Sequence, residues 1–159
     1  MNLRIVLRSL GMLLVCECIT LFVPTLTALF YQDGDLSSFL LTMLIILACG
    51  VPLLLIKPKD QNIYPKEGFA IVAIGWLLIS FFGAFPFYFS GAIPSFVDAF
   101  FETVSGFTTT GSSILTDVES LPKCVLFWRS FTHWVGGMGV LVFLLTILKM
   151  GNGSHMNFA

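Results

Sequence analysis

Val104 to Ser113 is the stretch of this chain whose residue types suit chemistry. Ser105, Gly106, Thr108, Thr109, Thr110, Gly111, Ser112 and Ser113 are small or hydroxylated, and long apolar runs lie on either side of them. Three threonines followed by a glycine offer a row of backbone carbonyls and hydroxyls, which can replace the water around a dehydrated cation. Irregular backbone at membrane depth is tolerated only where it is buried in protein or lines a wet cavity. The stretch is therefore expected to form one wall of an ion-selectivity filter; the alternative is an ordinary external loop rich in serine and threonine. Thr108 to Thr110 are β-branched and resist helix, which favours an extended run. Gly106 is expected to end a preceding helix in a left-handed conformation. Gly111, lacking a Cβ, can turn its carbonyl toward a pore axis at a backbone angle closed to other residues.

Charged residues flank this stretch. Asp98 and Glu102 are four apart and share one face of a short helix. Arg129 falls at a similar depth in the next apolar segment, where a charge needs a partner. Pairing with Glu102, or with Asp98 as second choice, would brace the filter; the alternative is that Arg129 snorkels to the outer headgroups. Gly136, Gly137 and Gly139 let helices approach closely, or could form a hinge because clustered glycines weaken a helix. His133 reads as a hydrogen-bond donor between helices rather than a proton sensor. A second class of reading, an intramembrane hydrolase with Ser105 as nucleophile and His133 as base, is weaker. It has no identifiable oxyanion partner and no need of three threonines. A third is a non-conducting accessory membrane subunit.

The elements that must position these residues follow from composition. The chain has 159 residues, 57% hydrophobic and 11% charged, against roughly 25% charged in an average soluble domain. This is an all-α integral membrane composition. The net charge of −1 supplies no basic surface for nucleic acid. Cys16, Cys18, Cys49 and Cys124 lack metal-type spacing and read as reduced apolar fillers; no bound cofactor is expected.

Apolar segments are expected over 5–30, 37–56, 68–89 and 122–150, the first too long for a signal h-region. Glu17 inside the first is either a proton or cation relay or a neutral packing residue. Pro24 is expected to kink that segment. Asp33, Gly34 and Asp35 form an acidic turn, and Pro58 and Pro65 break the loop before segment three. Pro94 suits the first turn of a half-helix over 95–106, with the filter at 107–113. The chain thus divides into a two-helix hairpin over 1–66, a span–loop–span unit over 67–150, and the start of a linker over 151–159. Arg4, Arg8, Lys57, Lys59, Lys66 and Lys149 fall on one side if the N-terminus is cytoplasmic, and the loop then dips from outside. A half-helix entering that way points its partially negative C-terminal end toward the membrane centre, which favours a cation there.

The run Val104 to Gly111, followed by Trp128-Arg129 and by His133, Trp134, Gly136, Gly137, Met138 and Gly139, resembles the first repeat of the Trk/Ktr/HKT superfamily of potassium uptake proteins. The two spans before it resemble the Trk-type N-terminus, so the resemblance covers essentially the whole chain. It implies a potassium-channel-like fold in which four span–loop–span repeats of one chain surround a single pore. Thr109, Thr110, Gly111 and Ser112 would coordinate the ion, with Thr108 at the inner end and potassium held chiefly at Thr109, Thr110 and Gly111. It also implies potassium as substrate, symport with a coupled ion, a homodimer, a cytosolic nucleotide-binding regulatory subunit and the bacterial inner membrane. One filter segment and no second copy of the unit are found here, so the chain is expected to be the N-terminal part of a longer protein, with three repeats missing. The string Gly153 to Met156 also looks like a cloning scar, but more sequence follows it and it reads as native.

Overall fold

The computed structural model describes residues 2–32, 34–59 and 62–153. Six helices account for most of them: α1 (Leu3–Tyr31), α2 (Leu36–Leu54), α3 (Pro65–Gly83), α4 (Phe85–Phe89), α5 (Phe96–Phe107) and α6 (Lys123–Gly153). By length and composition three stretches of the described residues are able to cross a membrane: Leu3–Tyr31, Leu36–Leu54 and Pro65–Phe89. Large apolar side chains such as Met12, Ile19, Phe22, Phe30, Leu44 and Leu77 point outward along them. A soluble protein does not tolerate so much exposed apolar surface, whereas lipid tails solvate it.

α1 and α2 form a tight antiparallel hairpin. Gln32 ends α1 in the left-handed region at φ 53, and Gly34 follows at φ 78. Lipid is as apolar as leucine, so close contact rather than water exclusion holds such a pair together. Gly11 and Gly50 supply that contact: a Cβ on Gly11 would come within 2.7 Å of the Leu53 Cβ and 2.9 Å of the Gly50 carbonyl. Leu14, Leu21, Ala28, Phe39 and Ile46 are buried in the same cluster. α1 runs through Pro24 as one helix, with the Thr25 hydroxyl donating to the Leu21 carbonyl at 2.7 Å.

The segment expected as one helix over 68–89 is two. α3 stops at Gly83 and α4 starts two residues later. Pro86 has no N–H to offer the carbonyl of Phe82 four residues back, so the ladder breaks there. At the opposite end of α3, Glu67 is buried and its Oε1 accepts the Asn2 backbone N–H at 2.9 Å. That bond fastens the start of α1 to the start of α3. The Trp128 indole Nε1 donates to the Gly83 carbonyl at 2.9 Å and fastens α6 to the other end of α3. Around this junction Phe87, Ala99, Phe107, Cys124, Val125 and Trp128 are all buried.

Two boundaries move from their expected places. The half-helix starts at Phe96 with Ser95 as its N-cap and runs to Phe107. Pro94 thus lies before the cap, and Phe107 belongs to the helix rather than to the loop. α6 includes residues 151–153, so a linker starting at 151 is not seen, and the remainder of that linker, 154–159, lies outside the described residues.

Candidate filter site

α5 is twelve residues long, about 18 Å at 1.5 Å per residue, or half a bilayer core. Its amphipathic sequence buries Ala99, Glu102, Thr103, Ser105, Gly106 and Phe107. The helix ends in a Schellman arrangement. The Thr109 N–H donates to the Gly106 carbonyl at 3.0 Å, and the Thr110 N–H to the Ser105 carbonyl at 2.9 Å. This pattern requires a left-handed residue after the cap, usually glycine. Here that residue is Thr109, at φ 57. A β-branched residue in this region is an outlier, at about 1–2 kcal/mol.

The expected roles of Gly106 and the threonine run are thereby corrected. Gly106 is the penultimate helical residue and does not have positive φ. It is glycine because of contact: a Cβ there would overlap the Thr132 hydroxyl on α6. Nor is the run extended from its start. Thr108 caps the helix at φ −84, ψ 0, and Thr109 turns left-handed. Gly111 is left-handed too, at φ 78, while Thr110 is not. The sign of φ therefore alternates from Thr108 to Gly111, unlike a strand, in which every residue is extended.

Residues 108–114 are all exposed. The N–H groups of Thr108, Thr109, Thr110 and Gly111 donate back to the carbonyls of Val104, Gly106, Ser105 and Ser105 respectively. Among the described residues, none of the four carbonyls from Thr108 to Gly111 accepts a hydrogen bond. The Thr108 hydroxyl donates to the Val104 carbonyl at 2.7 Å and lies 2.8 Å from the Thr110 hydroxyl. The Ser112 carbonyl differs from the four before it: it accepts the Ser105 hydroxyl at 2.5 Å and so faces the half-helix.

Glu102 and Arg129 are brought together. The Arg129 Nε donates to the Glu102 Oε1 at 2.7 Å, with the glutamate side chain 1% exposed and the arginine 20%. Snorkelling of Arg129 is excluded by this contact. The carboxylate also accepts the Ser113 hydroxyl, 3.0 Å from each oxygen, and the Ile114 N–H at 3.1 Å. One buried anion thus joins the half-helix, the far side of the loop and α6. Charge-assisted bonds of this kind are roughly twice as strong as neutral ones. Asp98, one turn earlier, is only half-buried and takes no part. Ser113 and Ile114 were missed in the sequence; a backbone donor from a loop leaves no signal in residue type.

Gly136, Gly137 and Gly139 of α6 do different things. A Cβ on Gly136 would overlap the Phe107 carbonyl, so α6 lies directly against the last turn of the half-helix. On Gly137 it would sit 3.8 Å from the Thr109 Cγ2, an ordinary contact, and on Gly139 it would be 3.3 Å from the Trp76 ring. α6 is continuous through all three. His133 does not bridge helices: its Nδ1 donates to the Arg129 carbonyl one turn back at 2.9 Å, which fixes the tautomer. Ser105 and His133 share no hydrogen bond, and with their bonds made elsewhere the hydrolase reading has no dyad.

Comparisons with known proteins bear on the family and the fold. Residues 37–156 match the sequence model of the TrkH family, described as a cation transport protein. The Trk system potassium uptake protein TrkH of Escherichia coli (strain K12) is 39% identical over 152 residues, which cover 94% of this chain and 32% of that protein. An uncharacterized cation transporter of Methanocaldococcus jannaschii is 37% identical over 143 residues, 90% of this chain and 30% of that protein. The crystal structure of the potassium transporter TrkH from Vibrio parahaemolyticus superimposes with a TM-score of 0.87 at 36% identity, over 93% of this chain and 32% of that one. The chain therefore spans about a third of the length of these relatives.

Proposed function

Because the chain belongs to the TrkH family of cation transport proteins, we propose that its Thr108–Gly111 loop is one wall of a potassium filter in a longer, membrane-embedded uptake protein. The observation that carries this reading is the row of four exposed carbonyls without hydrogen-bond partners. Such groups are left unpaired at a cost unless water or an ion satisfies them, and a dehydrated cation is satisfied by carbonyl oxygens. Potassium sits against the carbonyls of Thr109, Thr110 and Gly111, with Thr108 at the inner end. Ser112 contributes its hydroxyl, since its carbonyl is engaged by Ser105. Glu102 and Arg129 brace the loop, and Gly136 seats the half-helix.

Three more repeats complete the ring, because one wall alone leaves the ion open to water on its other sides. In this reading the uptake protein is a homodimer in the bacterial inner membrane with its N-terminus cytoplasmic. A cytosolic nucleotide-binding subunit gates it, and a coupled ion drives symport. Arg4 and Arg8 near the start of α1, with Lys57, Lys59 and Lys66 before and at the start of α3, support the orientation.

The test is Gly111→Ser in the full-length protein. At φ 78 a side chain is strained, and the serine hydroxyl competes with the carbonyl for the ion. Potassium-over-sodium selectivity, measured by uptake in potassium-requiring cells and by flux into vesicles, is expected to fall about tenfold or more, or roughly 1.4 kcal/mol. Unchanged selectivity would remove Gly111 from the filter.

A further inference from the structure

Glu17 is the polar group that this reading leaves unused. It lies in the middle of α1, 5% exposed, and neither carboxyl oxygen has a hydrogen-bond partner among the described residues. Its Oε1 faces Gly83, where α3 ends: a Cβ at Gly83 would come within 3.1 Å of that oxygen, 2.9 Å of the Thr103 Cγ2 and 3.1 Å of the Phe107 ring. The carboxyl thus sits behind the half-helix, at the point where α1, α3 and α5 meet. Phe107 is the residue whose carbonyl rests on Gly136 and after which the filter loop begins.

Among the described residues no charge compensates it. The titratable neighbours on its own helix are Cys16, which is exposed, and the buried Cys18 thiol, which donates to the Met43 carbonyl at 3.8 Å. α2 carries no acidic or basic residue, and its Cys49 is exposed. On α3 the carboxyl of Glu67 is bonded to Asn2 at the other end of the helix. On α5 Glu102 is taken by Arg129, Ser113 and Ile114, and Asp98 lies a turn further from the junction. On the described part of α6 Arg129 is engaged by Glu102, and His133 bonds back to its own helix. Both Glu17 oxygens are already covered within this third of the protein. The rest of the chain therefore cannot supply a partner without opening the junction.

An isolated buried anion is far more costly than a buried neutral acid. We propose that Glu17 is a proton-binding site inside the membrane: its carboxyl holds a proton against Gly83, and the seat of the half-helix depends on that proton. Binding converts a carboxylate and a proton into a neutral acid, with no other reactant. Releasing the proton would place a bare charge between α1, α3 and Phe107 and draw water into the junction. The link to uptake rests on the filter reading above; the proton site itself does not.

The experiment uses the full-length protein in lipid vesicles. Infrared spectra at neutral pH are expected to contain a protonated carboxyl band that is lost in Glu17→Gln. Potassium uptake is expected to fall at alkaline pH in the unmodified protein, and that fall is expected to be absent in Glu17→Gln. Glu17→Met, apolar and of similar length, serves if the glutamine variant fails to fold. Three results would overturn the proposal: no protonated band assignable to Glu17; pH profiles of uptake that coincide with and without the carboxyl; or neutral variants that both fail to accumulate while Glu17→Asp does. Selectivity in Gly111→Ser reports on the filter alone, so failure there leaves the infrared result standing and is distinguishable from failure here.

Discussion

The half-helix α5 is held in opposite ways on its two sides. Toward the loop, Glu102 is buried and surrounded by donors from Arg129, Ser113 and Ile114. Toward the interior, Glu17 is equally buried and has none; there the half-helix is seated by contact alone, through Gly83 and, on α6, Gly136. The difference shows two solutions to one problem. A carboxyl can be kept in a membrane protein by surrounding it with donors or by keeping it neutral. The first solution fixes direction, because hydrogen bonds weaken when bent. The second fixes only distance. The directional side is the one that carries the loop.

This asymmetry can be broken from its polar side first. Arg129→Met in the full-length protein leaves the Glu102 carboxylate buried without its charge partner. The expected loss is about 3–5 kcal/mol, read as a lower midpoint of thermal unfolding in detergent together with altered potassium selectivity; wild-type values for both would mean the pair braces nothing. On the contact side, Gly136→Ala forces α6 away from the Phe107 carbonyl, at about 1–3 kcal/mol. Gly137→Ala, one residue on, is the matched control and is expected to be nearly silent, since its Cβ meets only ordinary contact. Equal losses in the two alanine variants would show that helix stiffness, not contact with the half-helix, is what the glycines set. The smallest effect is expected for Asp98→Asn, within about 0.5 kcal/mol and with unchanged selectivity. A loss comparable to that of Arg129→Met would mean that both carboxylates of α5 share the brace.

Much of this was legible in the sequence. Hydropathy and length place the helices, because a span must hide every backbone polar group. The Glu102–Arg129 pair follows from a charge at membrane depth and from the helical spacing of its candidates. The choice of Glu102 over Asp98 is a choice of turn along one face, since Glu102 is the one level with Arg129. What was not legible depended on contacts between distant backbones. Gly106 is a glycine in the expected place for a different reason, since the atom that excludes a side chain is on Thr132. Threonine's β-branched preference predicts an extended run, but helix-end hydrogen bonds pull Thr109 into the left-handed region instead. Local propensity is a weak force beside a Schellman pair. Glu67 and Asn2 are 65 residues apart, and nothing in either neighbourhood announces the bond.

If the loop is a filter wall, as proposed, the way the half-helix ends bears on the sign of the ion it admits. Every amide from Thr108 to Gly111 is turned back into the helix, and every carbonyl of the same residues is left over. The loop is thereby sorted into a donor side and an acceptor side by backbone alone. An anion arriving at this wall meets oxygen atoms and finds no N–H to greet it. Such a wall would discriminate charge before size, and without an acidic side chain among residues 104–116. The strained φ at Thr109 is what turns the chain so that this separation holds.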